Sequence, residues 1–222
     1  MADDDNDGVP GAGVLLARAA AGDGVAWGAL LAAHQSRLAR VVAFRMDPRL
    51  RGRVDAADVV QDAFVEATAH RADYFGLHPP VPPLFLWLRG VVGNKLLAVS
   101  RHHLGTRMRD ANRDVPLGGA GPPGQCDTAS ALCAELTAGL TRPSVAAARG
   151  EVSMRLAEAL AGMDPTDREV LALRHFEQLT SAEAARVLGI RERAAAKRYL
   201  RALGRLREIL EAMPGGLTEL RP

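Results

Sequence analysis

MDPTDREVLALRHFEQLTSAEAARVLGIRERAAAKRYLRALGRLREIL, residues 163–210, decides the fold of this chain. Helix starts are written into it. Thr166-Asp167-Arg168-Glu169 fits a capping box and places a helix start near residue 166, with Asp164-Pro165, an N-cap followed by proline at the first helical position, as its competitor. Thr180-Ser181-Ala182-Glu183 offers a second capping box. Val170, Leu173 and Phe176 supply core positions, Ala184, Val187 and Leu188 continue them, and Ala185 permits close helix contact. Gly189 suits a turn because glycine adopts positive φ without a Cβ penalty. In the last helix, Tyr199, Leu203, Leu206 and Leu210 fall on an inward face, and Arg198, Arg201 and Arg205 on an outward one. Helix, short helix, turn and long basic helix make a helix-turn-helix whose last element is suited to a major groove. Its first turns, with Arg191, Arg193, Ala194 and Lys197, are placed to reach base edges, and Arg198 and Arg201 to hold phosphates.

Outward from this block, helical periodicity extends back to about residue 151 and forward to 213, where Pro214-Gly215-Gly216 stops it. Residues 214–222 read as a tail. Residues 114–150 read as a linker with transient structure, least ordered at Gly118 to Gly124, with a short helix available from Leu132 to Leu140. Cys126 and Cys133, the two cysteines, lie in this stretch without His or Cys neighbours at metal-ligand spacing and read as free thiols.

The N-terminal half reads as a second helical domain, residues 13–113, after a disordered acidic start, residues 1–12. Two helices span Val14 to Phe44, broken near Gly22-Asp23-Gly24. A third runs from Ala56 to Arg71. A breaker-rich loop, Tyr74 to Pro83, follows, and a fourth helix runs from Leu84 to about His103 with bends at Gly90 and Gly93. On the third helix Asp55, Asp58, Asp62 and Glu66 form one stripe, while Val60, Phe64 and Ala67 form a core stripe. Nothing in that helix except Arg71 offsets the repulsion along the acidic stripe, which points to a basic partner outside it. On the fourth helix Trp87 is either a core residue or a stacking platform for unpaired bases. Arg89, Asn94, Lys95 and Arg101 beside it can contact phosphates and base edges.

Composition fits an all-α fold of two small helical domains joined by a flexible linker. Hydrophobic residues make up 48% of the 222 residues, enough for packed cores, but aromatics only 4%, which disfavours sheet. The net charge of +2 conceals segregation. Residues 55–73 carry five acids against one Arg, and residues 191–207 carry seven bases against one acid. The acidic N-terminus is unlike a secretory leader, and the apolar run from Val14 to Ala33 is broken by charge and glycine. A cytoplasmic location without membrane attachment is expected. No nucleotide-binding loop, catalytic triad or metal-ligand cluster is legible, so neither an enzyme nor a cofactor is expected. Adjacent His102 and His103 diverge by about 100° on a helix and read as a solvated or phosphate-contacting pair.

These motifs resemble those of bacterial RNA polymerase sigma factors of the extracytoplasmic-function class. Asp55 to Phe64 is similar to that family's D-x-x-D-x-x-Q-(E/D)-x-F signature, and Phe85-Leu86-Trp87-Leu88 to its F-x-x-W-L motif. Asp164 to Leu210 resembles its region 4. The resemblance covers residues 14–110 and 151–211. It implies that Asp55, Asp58, Gln61 and Asp62 bind the β′ coiled coil of core RNA polymerase. It implies that Trp87, Arg89, Asn94, Lys95 and Arg101 engage and melt the −10 promoter DNA. It further implies that the C-terminal domain reads the −35 element, through Arg191, Arg193, Ala194, Lys197, Arg198 and Arg201, and touches the β flap. An anti-sigma factor is a further partner such a protein takes. The chain departs from the family at Ala195-Ala196, where Val-Lys is usual, so base contacts there do not carry over. It departs again at Val92-Gly93-Asn94, where glycine weakens a helix by up to about 1 kcal/mol, and in the unusual proline content of the loop from Tyr74 to Pro83.

The expected function is therefore that of a promoter-specificity subunit. Two other readings stand beside it: a helix-turn-helix regulator working without polymerase, and a polymerase-binding adaptor that does not read DNA.

Overall fold

The computed structural model describes residues 11–47, 49–78, 81–104, 128–138 and 146–212. All regular structure among them is helical, as expected. The chain divides into two units, Met1–Thr106 and Arg107–Pro222.

In the first unit, α1 (Ala12–Ala20) and α2 (Gly24–Arg45) are separated where the breakers stand. Gly22 has φ 99°, and the Asp23 carboxylate caps α2 by accepting the N–H groups of Val25 and Ala26 at 2.9 and 3.0 Å. Along α2, Trp27, Leu30, Leu31, Leu38, Val41 and Val42 recur at helical spacing, and all are buried. α3 (Ala56–Ala69) packs on α2 with Val59, Val60, Ala63, Phe64 and Ala67. α5 (Leu84–Leu104) packs on both through Leu84, Phe85, Leu88, Val92 and Leu96, and is continuous through Gly90 and Gly93.

The loop expected from Tyr74 begins later. Residues Arg71–Phe75 form a short helix, α4, and Tyr74 is buried. Its ring lies 5.2 Å from that of Phe75 and 5.3 Å from that of Trp87, and its hydroxyl donates to the Pro82 carbonyl at 3.2 Å. Packing the buried Tyr74 ring against those of Phe75 and Trp87 outweighs the local breaker signal, and the Tyr74 hydroxyl ties α4 to Pro82.

The first described helix of the second unit lies inside the stretch expected to be a linker. Residues Thr128–Ala138 form α6, and α7 (Ala146–Ala161) starts before residue 150. Ala131 and Leu132 are fully buried, and the Thr128 hydroxyl donates to the Glu169 carboxylate at 2.6 Å. Ala129, Leu132 and Cys133 form a narrow apolar stripe that packs with α7, and Cys133 is a buried thiol. The rest of the expected linker, residues 114–127 with Cys126, and 139–145, lies outside the described residues, as do residues 1–10, 105–113 and 213–222.

α8 (Pro165–Leu171) starts at the Asp164 cap, which accepts the N–H groups of Thr166 and Asp167 at 2.8 and 3.2 Å. The capping box expected at Thr166 is not formed: the helix starts earlier, at Pro165 under the Asp164 cap, and the Glu169 carboxylate accepts from Thr128. One guanidinium nitrogen of Arg168 donates to the carbonyls of Leu160, Ala161 and Met163 at 2.7–2.9 Å, satisfying the end of α7. A π-helical turn, Ala172–Phe176, follows α8. α9 (Ser181–Leu188) opens with the expected box: Glu183 N–H to the Thr180 hydroxyl at 3.1 Å, and Thr180 N–H to the Glu183 carboxylate at 2.6 Å. It closes at Gly189, φ 64°, with Ile190 N–H on the Ala185 carbonyl and Gly189 N–H on that of Arg186. This is a Schellman closure. Val187, expected in the core, is 37% exposed. The long helix α10 (Glu192–Glu211) completes the unit.

If α6 is an integral part of the second unit, Leu132→Ala costs about 2–5 kcal/mol of stability. Urea unfolding of the full chain checks this; an unchanged midpoint would return the segment to a solvated linker.

Candidate nucleic-acid interface

α10 follows the Gly189 turn. Arg191 is its N-cap residue and makes no side-chain cap, so the first N–H groups of the helix are left for an external acceptor. Its inner face is thin. Ala195 and Ala202 are buried, while Tyr199, Leu203, Leu206 and Leu210 are only half-buried. Ala195 is 1% exposed and is therefore a packing residue rather than a base reader. The Arg174 guanidinium lies 5.3 Å over the Tyr199 ring and donates to the Leu179 carbonyl, tying the π-helical turn to α10.

The basic residues of α10 split into two groups. Arg191, Arg193 and Lys197 are exposed, as is Ala194 between them, and these three cations have no ionic or hydrogen-bond partner among the described residues. The rear group is paired. Arg205 meets Glu208 at 3.0 Å and Arg207 meets Glu211 at 2.6 Å along the helix. Arg198, expected to face outward, is two-thirds covered and donates to Asp167 at 2.9 Å and Asp164 at 3.4 Å. Arg201 donates through two nitrogens to Asp167, at 3.0 and 3.2 Å. The helical period places both arginines on one side of α10. It carries no information about the acids of α8 opposite, and those hold the pair.

In the first unit, Asp55 accepts the Ala57 N–H at 2.8 Å and is the N-cap of α3. Asp58, Gln61 and Asp62 are exposed along the same helix, with Val65 among them 73% exposed. The cation missing from α3 comes from α5: Lys95 Nζ lies 3.1 Å from Asp62. One residue expected to bind protein and one expected to bind DNA are thus brought together. Trp87 is half-buried, its ring 6.4 Å from Trp27 and 5.3 Å from Tyr74. It is the edge of an aromatic cluster rather than the freely exposed platform considered from the sequence. Trp87, Asn94 and Arg101 stand seven residues apart and share a face of α5. Asn94 and Arg101 are exposed, Arg101 donates to the Leu97 carbonyl at 3.4 Å, and Arg89 is half-buried. The surface of α3 and α5 therefore joins an acidic ridge to a face of polar and basic groups edged by an aromatic ring.

Among the described residues no helix is long and apolar enough to cross a membrane, and no group of His, Cys, Asp and Glu is arranged to hold a metal ion.

Residues 153–206, from α7 into α10, match the family described as Sigma-70, region 4. Over 199 residues the chain is 32% identical to the RNA polymerase sigma factor CnrH of Cupriavidus metallidurans, covering 90% of this chain and 94% of that one. Among solved structures it is similar to CnrH in complex with the cytosolic domain of CnrY, with 28% identity and a TM-score of 0.47 over 90% of this chain and 97% of that one. A chain of the RsbN–BldN complex is similar at 19% identity and a TM-score of 0.31, over 88% of this chain and 99% of that one.

Asp164 gives the second unit an acid sensitivity. Burial pushes its carboxyl up, but the N–H groups of Asp167 and Thr166 and the nearby Arg198 outweigh this and hold it below the ordinary carboxylate range. A folded value below the unfolded one contributes stability above the unfolded value, about pH 4, which is lost as pH falls through the folded one. Urea unfolding at successive pH values should show an acid loss that is shallower in Asp164→Asn; an identical profile would remove Asp164 from that role.

Proposed function

Because the chain belongs to the bacterial RNA polymerase sigma factors of the extracytoplasmic-function class, we propose how its two units divide the work of that family. As a sigma factor it binds core RNA polymerase and promoter DNA and directs transcription initiation. The observation that carries the division is the split in exposed charge: a ridge of Asp58, Gln61 and Asp62 on α3, and Arg191, Arg193 and Lys197 at the start of α10.

The α3 ridge docks on a basic surface of core polymerase, the β′ coiled coil, with Asp55 fixing the start of the helix that carries it. Complementary charge there sets encounter rate and register more than raw affinity. The first two turns of α10 enter the major groove at the −35 element. Arg191, Arg193 and Lys197 meet base edges and phosphates, and Ala194 leaves room for close approach. On α5, Asn94, Lys95 and Arg101 hold the −10 strand, with Arg89 at their edge. The open side of Trp87 takes up base stacking lost on strand separation, at about 1–3 kcal/mol per base. Lys95 is released from Asp62 as the partners arrive, which a surface pair worth about 0–1 kcal/mol permits. The β flap meets the C-terminal unit. CnrH has been solved with the cytosolic domain of CnrY, and an anti-sigma partner of this chain is part of the proposal. So are a cytoplasmic location and the absence of catalytic activity of its own.

Run-off transcription with core polymerase and a pool of random promoters tests the reading; it should return transcripts from a narrow sequence class, and none above the core-only background would overturn it. Asp58→Arg should abolish co-purification with core polymerase while circular dichroism stays helical, and undiminished recovery would make the ridge merely solvated. Lys197→Ala should reduce the salt slope of DNA binding by about one unit.

A further inference from the structure

We propose that Asp167 is a positioning residue for promoter reading: it holds Arg198 and Arg201 away from nucleic acid and fixes the rotation of α10 that presents Arg191, Arg193 and Lys197. This rests on the reading of α10 as the DNA-contacting helix.

Asp167 lies in the first turn of α8, and its side chain is 12% exposed. It is separated from Arg198 and Arg201 by 31 and 34 residues, so the contact belongs to the tertiary fold. Arg201 grips it with a fork, Nε on one carboxylate oxygen at 3.2 Å and Nη2 on the other at 3.0 Å. Arg198 Nη1 shares the second oxygen at 2.9 Å and reaches Asp164 at 3.4 Å. A planar guanidinium fork fixes direction as well as distance, which a lysine does not. Arg198 and Arg201 are one turn apart on α10, so a single carboxylate fastens one side of the helix. A slip by one residue would turn the helix through about 100° and carry Arg193 and Lys197 off the exposed face.

The arrangement also sets how the protein discriminates. Two guanidinium groups face two carboxylates, so this patch is close to neutral and releases few counterions on meeting DNA. General attraction to phosphates is reduced, and the ratio of specific to non-specific binding rises. Asp167 thus trades affinity for any duplex against preference for the right one.

The test is a salt series of full-chain binding to a random-sequence duplex and to a selected promoter, for wild type, Asp167→Asn, Arg198→Gln/Arg201→Gln and the triple variant. Asp167→Asn should bind the random duplex more tightly with a slope steeper by about one to two units and lose preference for the promoter, and the triple variant should return to the wild-type slope without recovering that preference. The double glutamine variant should keep the wild-type slope. An unchanged or shallower slope in Asp167→Asn, or an equal gain in the triple variant, would overturn the proposal by making Asp167 purely structural or its effect independent of the two arginines. Should Asp167→Asn not fold, the double glutamine variant decides: a slope lower by about two units would show both arginines on phosphates and overturn the proposal. Wild-type binding of neither duplex at low salt would overturn the reading beneath it, a result distinct from wild-type binding with unaltered variant slopes.

Discussion

A helix can offer a row of cations to nucleic acid only if something other than those cations holds it in place. α10 has little apolar surface for that purpose: its fully covered side chains are alanines, and its larger apolar residues are half-buried. Burial scales with apolar area, so two alanines contribute little. What they allow is close approach, matched by Ala184 and Ala185 on α9. The remaining hold is polar. Arg174 bridges Leu179 and Tyr199, and Asp167 binds Arg198 and Arg201. Buried charge is costly unless paired and hydrogen-bonded; here each Asp167 oxygen accepts from a guanidinium. The hold depends in turn on the start of α8, because Asp167 is aimed by the turn that Asp164 and Pro165 begin.

The first unit solves a related problem in the opposite sense. Its acidic ridge would repel itself along α3, and α5 supplies the missing cation through Lys95. Two faces proposed for different macromolecules share an edge, so occupying one alters the charge presented by the other. The pair lies at the surface and is worth little, which suits a contact that must be exchanged. The aromatic cluster of Trp27, Tyr74, Phe75 and Trp87 is held instead by ring packing, with Trp27 also hydrogen-bonded to Thr68 at 3.1 Å.

What could be read from the chain was local. The Thr180–Glu183 box, the Gly189 turn and the break at Asp23 involve residues within a few positions of one another, and the structure places them there. Charge segregation was equally legible, because exposed ionic residues follow the helical period. Three features were less so. α6 was legible only in part, as a short helix from Leu132 to Leu140: its start at Thr128 was diluted by the glycine and proline before it, and its partner Glu169 was assigned to a capping box it does not make. The state of Trp87 depended on Tyr74, which a breaker-rich context disguised as loop. The outward direction of Arg198 was correct relative to its own helix axis but silent about Asp167, 31 residues earlier. Periodicity assigns a face, and only the packed chain says what stands opposite.

That difference changes the electrostatic argument itself. Between residues 191 and 207 the chain carries seven bases, but Arg198, Arg201, Arg205 and Arg207 are paired with acids, leaving Arg191, Arg193 and Lys197 open. Attraction at distance responds to the sum of charges, acids included, and falls away beyond a Debye length of about 10 Å. Counterion release on contact responds only to cations that reach phosphates. A tally of basic residues therefore overstates both. The physical footprint of α10 is its first two turns, which is also where a recognition helix meets base edges. Pairing the rear of the helix concentrates the remaining positive charge at the end proposed to read.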